Sequence, residues 1–268
     1  MSSFSSPIRR IMVALDAHAW DLDALEQVAE LALELHAELA GLFVEDINLF
    51  RLCELPGGEV SLASGSLRRP EREAMERDLR GQAEMARRTL ERVAVQRRLA
   101  WSFRVTRGRT EETVLGAAGE ADLVALARRH RGFRQAASHE RVGRQRQAVA
   151  AHYRGGEGAK RVLDVALRAA ARTGGRLLVL LPDDDPAAAG RLEAEIAAVL
   201  ASSAIGFEIL RFGPSVKGLA AALEQTRARL LVLEASVARA IEAVMPEVAV
   251  DLLLVREPDR QPASNSAT

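Results

Sequence analysis

Apolar positions along the chain fall into two rhythms, short continuous runs of strand length and longer stretches in which they return every three or four residues. Residues 11–15 are a short apolar run closed by Asp16. Leu25, Val28, Ala29, Ala32 and Leu35 follow at helical spacing, which predicts a helix with one buried face. Residues 39–44 are a second apolar run, closed by Glu45 and Asp46. The unit reads strand, helix, strand.

Shifting the sequence by about 138 positions lays the same unit over residues 149–153, then Leu163, Ala166, Leu167 and Ala170, then residues 177–181. Gly174 and Gly175 stand where this second helix must stop and reverse, a role suited to glycine because it tolerates positive φ. The later halves match too. Trp101, Phe103 and Val105 alternate as a strand, as do Phe207 and Ile209, and residues 121–126 align with residues 228–233 as strands apolar on both faces. Strands alternating with helices predict an α/β fold of two tandem doubly wound parallel-sheet domains. The boundaries are placed at 1–146 and 147–257, with a disordered polar tail over 258–268.

The first copy carries roughly thirty extra residues, most of them in an insertion over 46–69 that reads as a long loop or lid. Pro70 then opens a strongly charged helix reaching about residue 98, with a buried stripe through Ala74, Met75, Leu79, Ala83, Ala86, Leu90 and Val93.

Composition narrows the function. Thirty-seven basic and thirty-seven acidic side chains cancel, and aromatics are only 4% of the chain. Neither a field that attracts nucleic acid nor a stacking platform for bases is expected. No apolar run is long enough to span a membrane, so membrane insertion is not expected. The serine-rich start lacks the basic-then-apolar pattern of a secretory signal, and the single cysteine, Cys53, reads as a loop thiol in a reducing compartment. Both point to the cytoplasm.

Asp16 at the end of a first strand, the alanine- and leucine-rich helix after it, and a second strand ending Phe-Val-Glu-Asp together resemble the universal stress protein family, twice over. The resemblance implies a Rossmann-like fold. In members that bind ATP, the aspartate ending the first strand helps hold the adenosine, and a turn of the form G-x2-G-x9-G-[S/T] after the fourth strand receives the phosphates through close backbone N–H groups. The first copy has Ala127 and His130 in place of the first two glycines, then Glu140 and Arg141 in place of the last pair. It also has little room after its fourth strand for a last helix and a fifth strand. The second copy has Arg154 at the aspartate position and no glycine over 234–244, but it keeps a final apolar strand at 250–255, which resembles the element that members use for pairing.

What this implies is a non-enzymatic stress-response or regulatory protein with no cofactor, whose two domains pair as an intramolecular pseudo-dimer. A homodimer and a protein partner are further expectations. The alternative is an adenine-nucleotide protein holding ATP or AMP in the first domain. Its site would be Asp16 and Val44 at the base, with Arg128, Arg129 and Arg131 replacing the glycines, since guanidinium forks match phosphate oxygens. Against that, Asp16 also reads as a turn cap or an inherited remnant, and the arginine-rich stretch 128–146 as a solvated linker.

Asp183, Asp184 and Asp185 sit between two prolines where a helix should start, so they read as a cap rather than a cation site. Gly155, Gly156 and Gly158 lack the dinucleotide spacing and read as a turn. His18 lies near the same cleft as Asp16, or is simply a solvated polar group. No nucleophile elbow, paired-histidine motif or Walker lysine appears, so no catalytic residue and no metal ligand is assigned.

Overall fold

The computed structural model describes residues 7–16, 22–54, 59–60, 67–68, 72–126, 148–213, 215–226, 228–240 and 250–257. The chain divides into two compact units, one spanning Ile8–Arg129 and the other lying within His130–Thr268.

In the N-terminal unit, β1 (Arg10–Asp16), β2 (Glu38–Asp46), β5 (Trp101–Gly108) and β6 (Leu123–Leu126) are parallel in the order β5-β2-β1-β6. α1 (Leu22–Leu35) joins β1 to β2, α3 (Arg72–Gln96) leads into β5, and α4 (Thr110–Ala117) joins β5 to β6. Residues 11–15 of β1 and all of β6 are buried, as apolar runs in parallel sheets usually are. β5 is the outer strand of this unit, and Val105 remains 47% exposed on it. Its alternating apolar residues line a surface that the sheet only half covers. The buried stripe of α3 includes Leu79, Ala83, Ala86, Leu90 and Val93, whereas Ala74 and Met75, in its first turn, are only half-buried, and α3 packs on α1.

The insertion is not a plain loop. Ile47–Glu54 is a helix, α2, and β3 (Glu59–Val60) pairs antiparallel with β4 (Leu67–Arg68). Asp46 accepts a hydrogen bond from the Asn48 N–H at 2.9 Å, which satisfies a backbone donor at the helix start. Phe50 then buries itself one turn along. Cys53 accordingly sits on this helix, half-buried and directed at the Leu49 carbonyl, rather than in a loop.

In the C-terminal unit, β7 (Val149–His152), β8 (Leu177–Pro182), β9 (Phe207–Phe212), β10 (Leu230–Glu234) and β11 (Asp251–Val255) are parallel in the order β11-β10-β7-β8-β9. α5 (Gly156–Thr173), α6 (Pro186–Leu200), α7 (Val216–Thr226) and α8 (Ala235–Ala240) connect or follow them. α5 ends as its sequence predicts. Gly174 takes φ 61°, and the Gly175 N–H donates to the Ala170 carbonyl at 3.1 Å. α6 starts at the aspartate run, where Asp185 accepts from the Ala187 N–H at 2.9 Å with Pro186 in the first turn. The acidic run is therefore a cap, its other two members pairing with Arg154 and Arg211.

The doubly wound parallel α/β reading holds in both units. The expected tail over 258–268, and the segment 127–147 where the first copy reads as truncated, lie outside the described residues.

Candidate functional site

Ligands of open α/β sheets bind beyond the carboxyl ends of the strands, where the strand order reverses. In the N-terminal unit that point lies between β1 and β6; in the C-terminal unit it lies between β7 and β10.

Asp16 ends β1 directly opposite Val44 on β2, so two of the predicted site residues meet at the carboxyl edge of the sheet. Val44 is buried at the base. Arg128, Arg129 and Arg131, like His18, lie outside the described residues. Beside the base, the register Glu45↔Arg107 places a salt bridge at 2.9 Å, and the Arg107 guanidinium stacks over the Phe50 ring at 4.3 Å. This clasp ties the insertion helix to the edge of the site. Periodicity alone did not single out either residue, although an arginine ending an edge strand beside a glutamate was the available signal.

On the same unit, a groove of about 370 Å³ runs between α3 and β5, floored by Ala83, Phe103 and Val105 and rimmed by Arg80, Glu84 and Arg87. Hydrogen bonds from Arg87 and Arg88 hold the Glu84 carboxyl down at about 2, so the rim stays charged.

The C-terminal crevice is furnished differently. Arg154, at the position matching Asp16, follows β7 and pairs with Asp184 at 3.6 Å. His152 lies beneath, buried, its ring 5.9 Å from that of Phe212. Burial first, and the Arg154 charge second, push its imidazole down to about 4, so it is neutral near pH 7. Gly155 and Gly156 take φ 83° and 85° as the chain turns into α5, which fits their reading as a turn.

Glu234 ends β10 and is half-buried, with its carboxylate against the first turn of α5. A Cβ at Gly158 would stand 2.5 Å from its Oε2, so a larger residue there would push the carboxylate aside. Burial, then the charge and hydrogen bond of Glu257, raise the proton affinity of Glu234, while Arg154 opposes them. None of His152, Glu234 and Glu257 was singled out from sequence. The visible signal was a carboxylate at the end of a buried strand with a helix following at once.

Among the described residues, no group of three or more His, Cys, Asp or Glu has the placement to hold a metal ion, and no helix is long and apolar enough to cross a membrane.

No family model and no curated protein matches the chain. Solved structures do. A universal stress protein from Archaeoglobus fulgidus DSM 4304 matches at TM-score 0.55 and 12% identity, over 93% of this chain and 97% of that one. A universal stress protein solved in complex with cAMP matches at TM-score 0.34 and 20% identity, over 41% of this chain and 95% of that one. A protein of unknown function from Pseudomonas aeruginosa PAO1 matches at TM-score 0.44 and 12% identity, over 94% of each chain. The fold is that of an α/β, Rossmann-like protein with parallel sheets. More narrowly, it is the fold of the universal stress proteins.

Proposed function

We propose that this chain is a universal-stress-protein-like regulatory protein, without catalytic chemistry of its own, that does not hold ATP in the family's usual way. The passage from β10 to α8 carries this reading: Glu234 ends the strand and Ala235 begins the helix, with no glycine and no loop between them. Phosphate held by backbone amides needs a stretch where N–H groups stand clear of side chains, and glycine supplies that clearance. A side chain at every position from 234 to 240 takes it away. The output of such a protein is an interaction with a protein partner.

The test is to denature the purified protein and analyse what is released. No bound adenine nucleotide is expected, and stoichiometric ATP or AMP overturns the reading.

A second reading, adenine-nucleotide binding in the N-terminal unit, is favoured by one observation. Asp16 and Val44 are register partners on neighbouring strands beside the point where strand order reverses. On this reading, ATP or AMP raises the melting temperature of the wild type, and Asp16→Ala removes the rise. No shift at millimolar nucleotide rules it out.

A further inference from the structure

The C-terminal crevice already contains a negative charge. Glu234 stands at the carboxyl end of β10, next to β7, at the point where ligands of this fold bind. Its carboxylate lies against Gly158 in the first turn of α5, in space that a side chain at 158 would take only by displacing it.

The groups facing Glu234 come from three elements: Glu257 just after β11, Arg154 just after β7, and the amino end of α5. The last two favour a negative charge, since a helix start carries a partial positive charge. Burial and Glu257 disfavour it. Their sum still raises the proton affinity of Glu234. A position that holds one carboxylate at a cost is worse for the multiple charges of a phosphate.

We infer that Glu234 is an internal plug, a carboxylate that fills the ligand crevice of the C-terminal unit and bars anionic ligands from it. The inference rests on the proposed loss of ATP binding and names a residue that enforces it in this unit. Without Glu234, an anion would meet the glycine turn at 155–156, the amino end of α5, and Arg154, which it would share with Asp184, 3.6 Å from the guanidinium.

The test uses the full chain with inorganic pyrophosphate as the probe, measuring binding by calorimetry and by thermal shift at pH 7.5. Glu234→Gln keeps the shape and removes the charge; Glu234→Ala also opens space. Both variants should bind pyrophosphate at least about tenfold more tightly than the wild type, because a like-charge contact is relieved. Adding Arg154→Ala should abolish the gain. Folded variants that gain nothing overturn the inference, as does a gain that survives Arg154→Ala. Wild type that already binds pyrophosphate through Arg154 overturns it as well. If the alanine variant does not fold, the glutamine variant decides alone. The outcome is separable from the proposed function, because ATP retained by wild type in an Asp16-dependent manner defeats that reading and leaves the plug intact.

Discussion

The guanidinium of Arg107 on β5 lies 4.3 Å over the ring of Phe50 on α2 while its Nε and Nη2 both reach one oxygen of Glu45, at 3.0 and 2.9 Å. One side chain thus fastens the insertion to the carboxyl edge of the N-terminal sheet. Arg107 is 44% exposed along its side chain, so solvent screens the pair and the cation–π contact is of the modest, surface type. Arg107→Ala is expected to cost about 1 kcal/mol or less in global stability. It should also speed hydrogen exchange selectively in Ile47–Glu54, and unchanged exchange there would count against the clasp.

Gly41 on β2 faces Phe103 on β5, and a Cβ at 41 would stand 2.7 Å from that ring and 2.6 Å from Leu90 of α3. Both neighbours are side chains wedged between helix and sheet, with Leu90 fully buried. Gly41→Val should therefore destabilise the protein by about 1–3 kcal/mol through overpacking. Phe103→Leu in the same chain should recover part of the loss. Additive effects in urea melts would show that the two positions do not share the space.

Asp185 caps α6 through a single backbone hydrogen bond. Asp185→Ala should cost about 1 kcal/mol in chemical denaturation, and Asp185→Asn much less, because an amide oxygen caps nearly as well as a carboxylate. Equal losses in the two variants would mean that charge, not the cap, matters at this position.

The buried imidazole of His152 titrates near 4 in the folded chain and near 6.5 when unfolded. Between those values the unfolded chain binds more protons, so the stability present above pH 6.5 falls as pH drops through the window. The loss is on the order of 3 kcal/mol once pH is below 4. His152→Leu, similar in size and unable to titrate, should flatten the difference in urea midpoint between pH 7 and pH 4.5. Parallel profiles for wild type and variant would show that the imidazole is not the source.

The elements that repeat in the two units were legible in the sequence because each must bury a face. The runs at β1, β2, β7 and β8 and the stripes of α1, α3 and α5 state their period in residue type alone. Caps were legible for the same local reason, as Gly174 and Asp185 show. The insertion was read as a loop because α2 is only eight residues long, too short for periodicity to stand out. Its Phe50 is held by Arg107, far along the chain, and by packing of α2 on α3.

The candidate site divides along the same line. Asp16 was visible as a carboxylate ending a strand, and the loss of glycines over 234–244 was visible by inspection. Glu234 lying on Gly158, Glu257 facing Glu234, and a buried His152 made neutral beside Arg154 join residues remote in sequence. The sequence by itself determined the α/β elements of the two units and the lack of glycine over 234–244, because periodicity and glycine content are local properties. Only the tertiary structure decided that the second crevice holds its own carboxylate, because burial and charge proximity exist only once distant strands have been brought side by side.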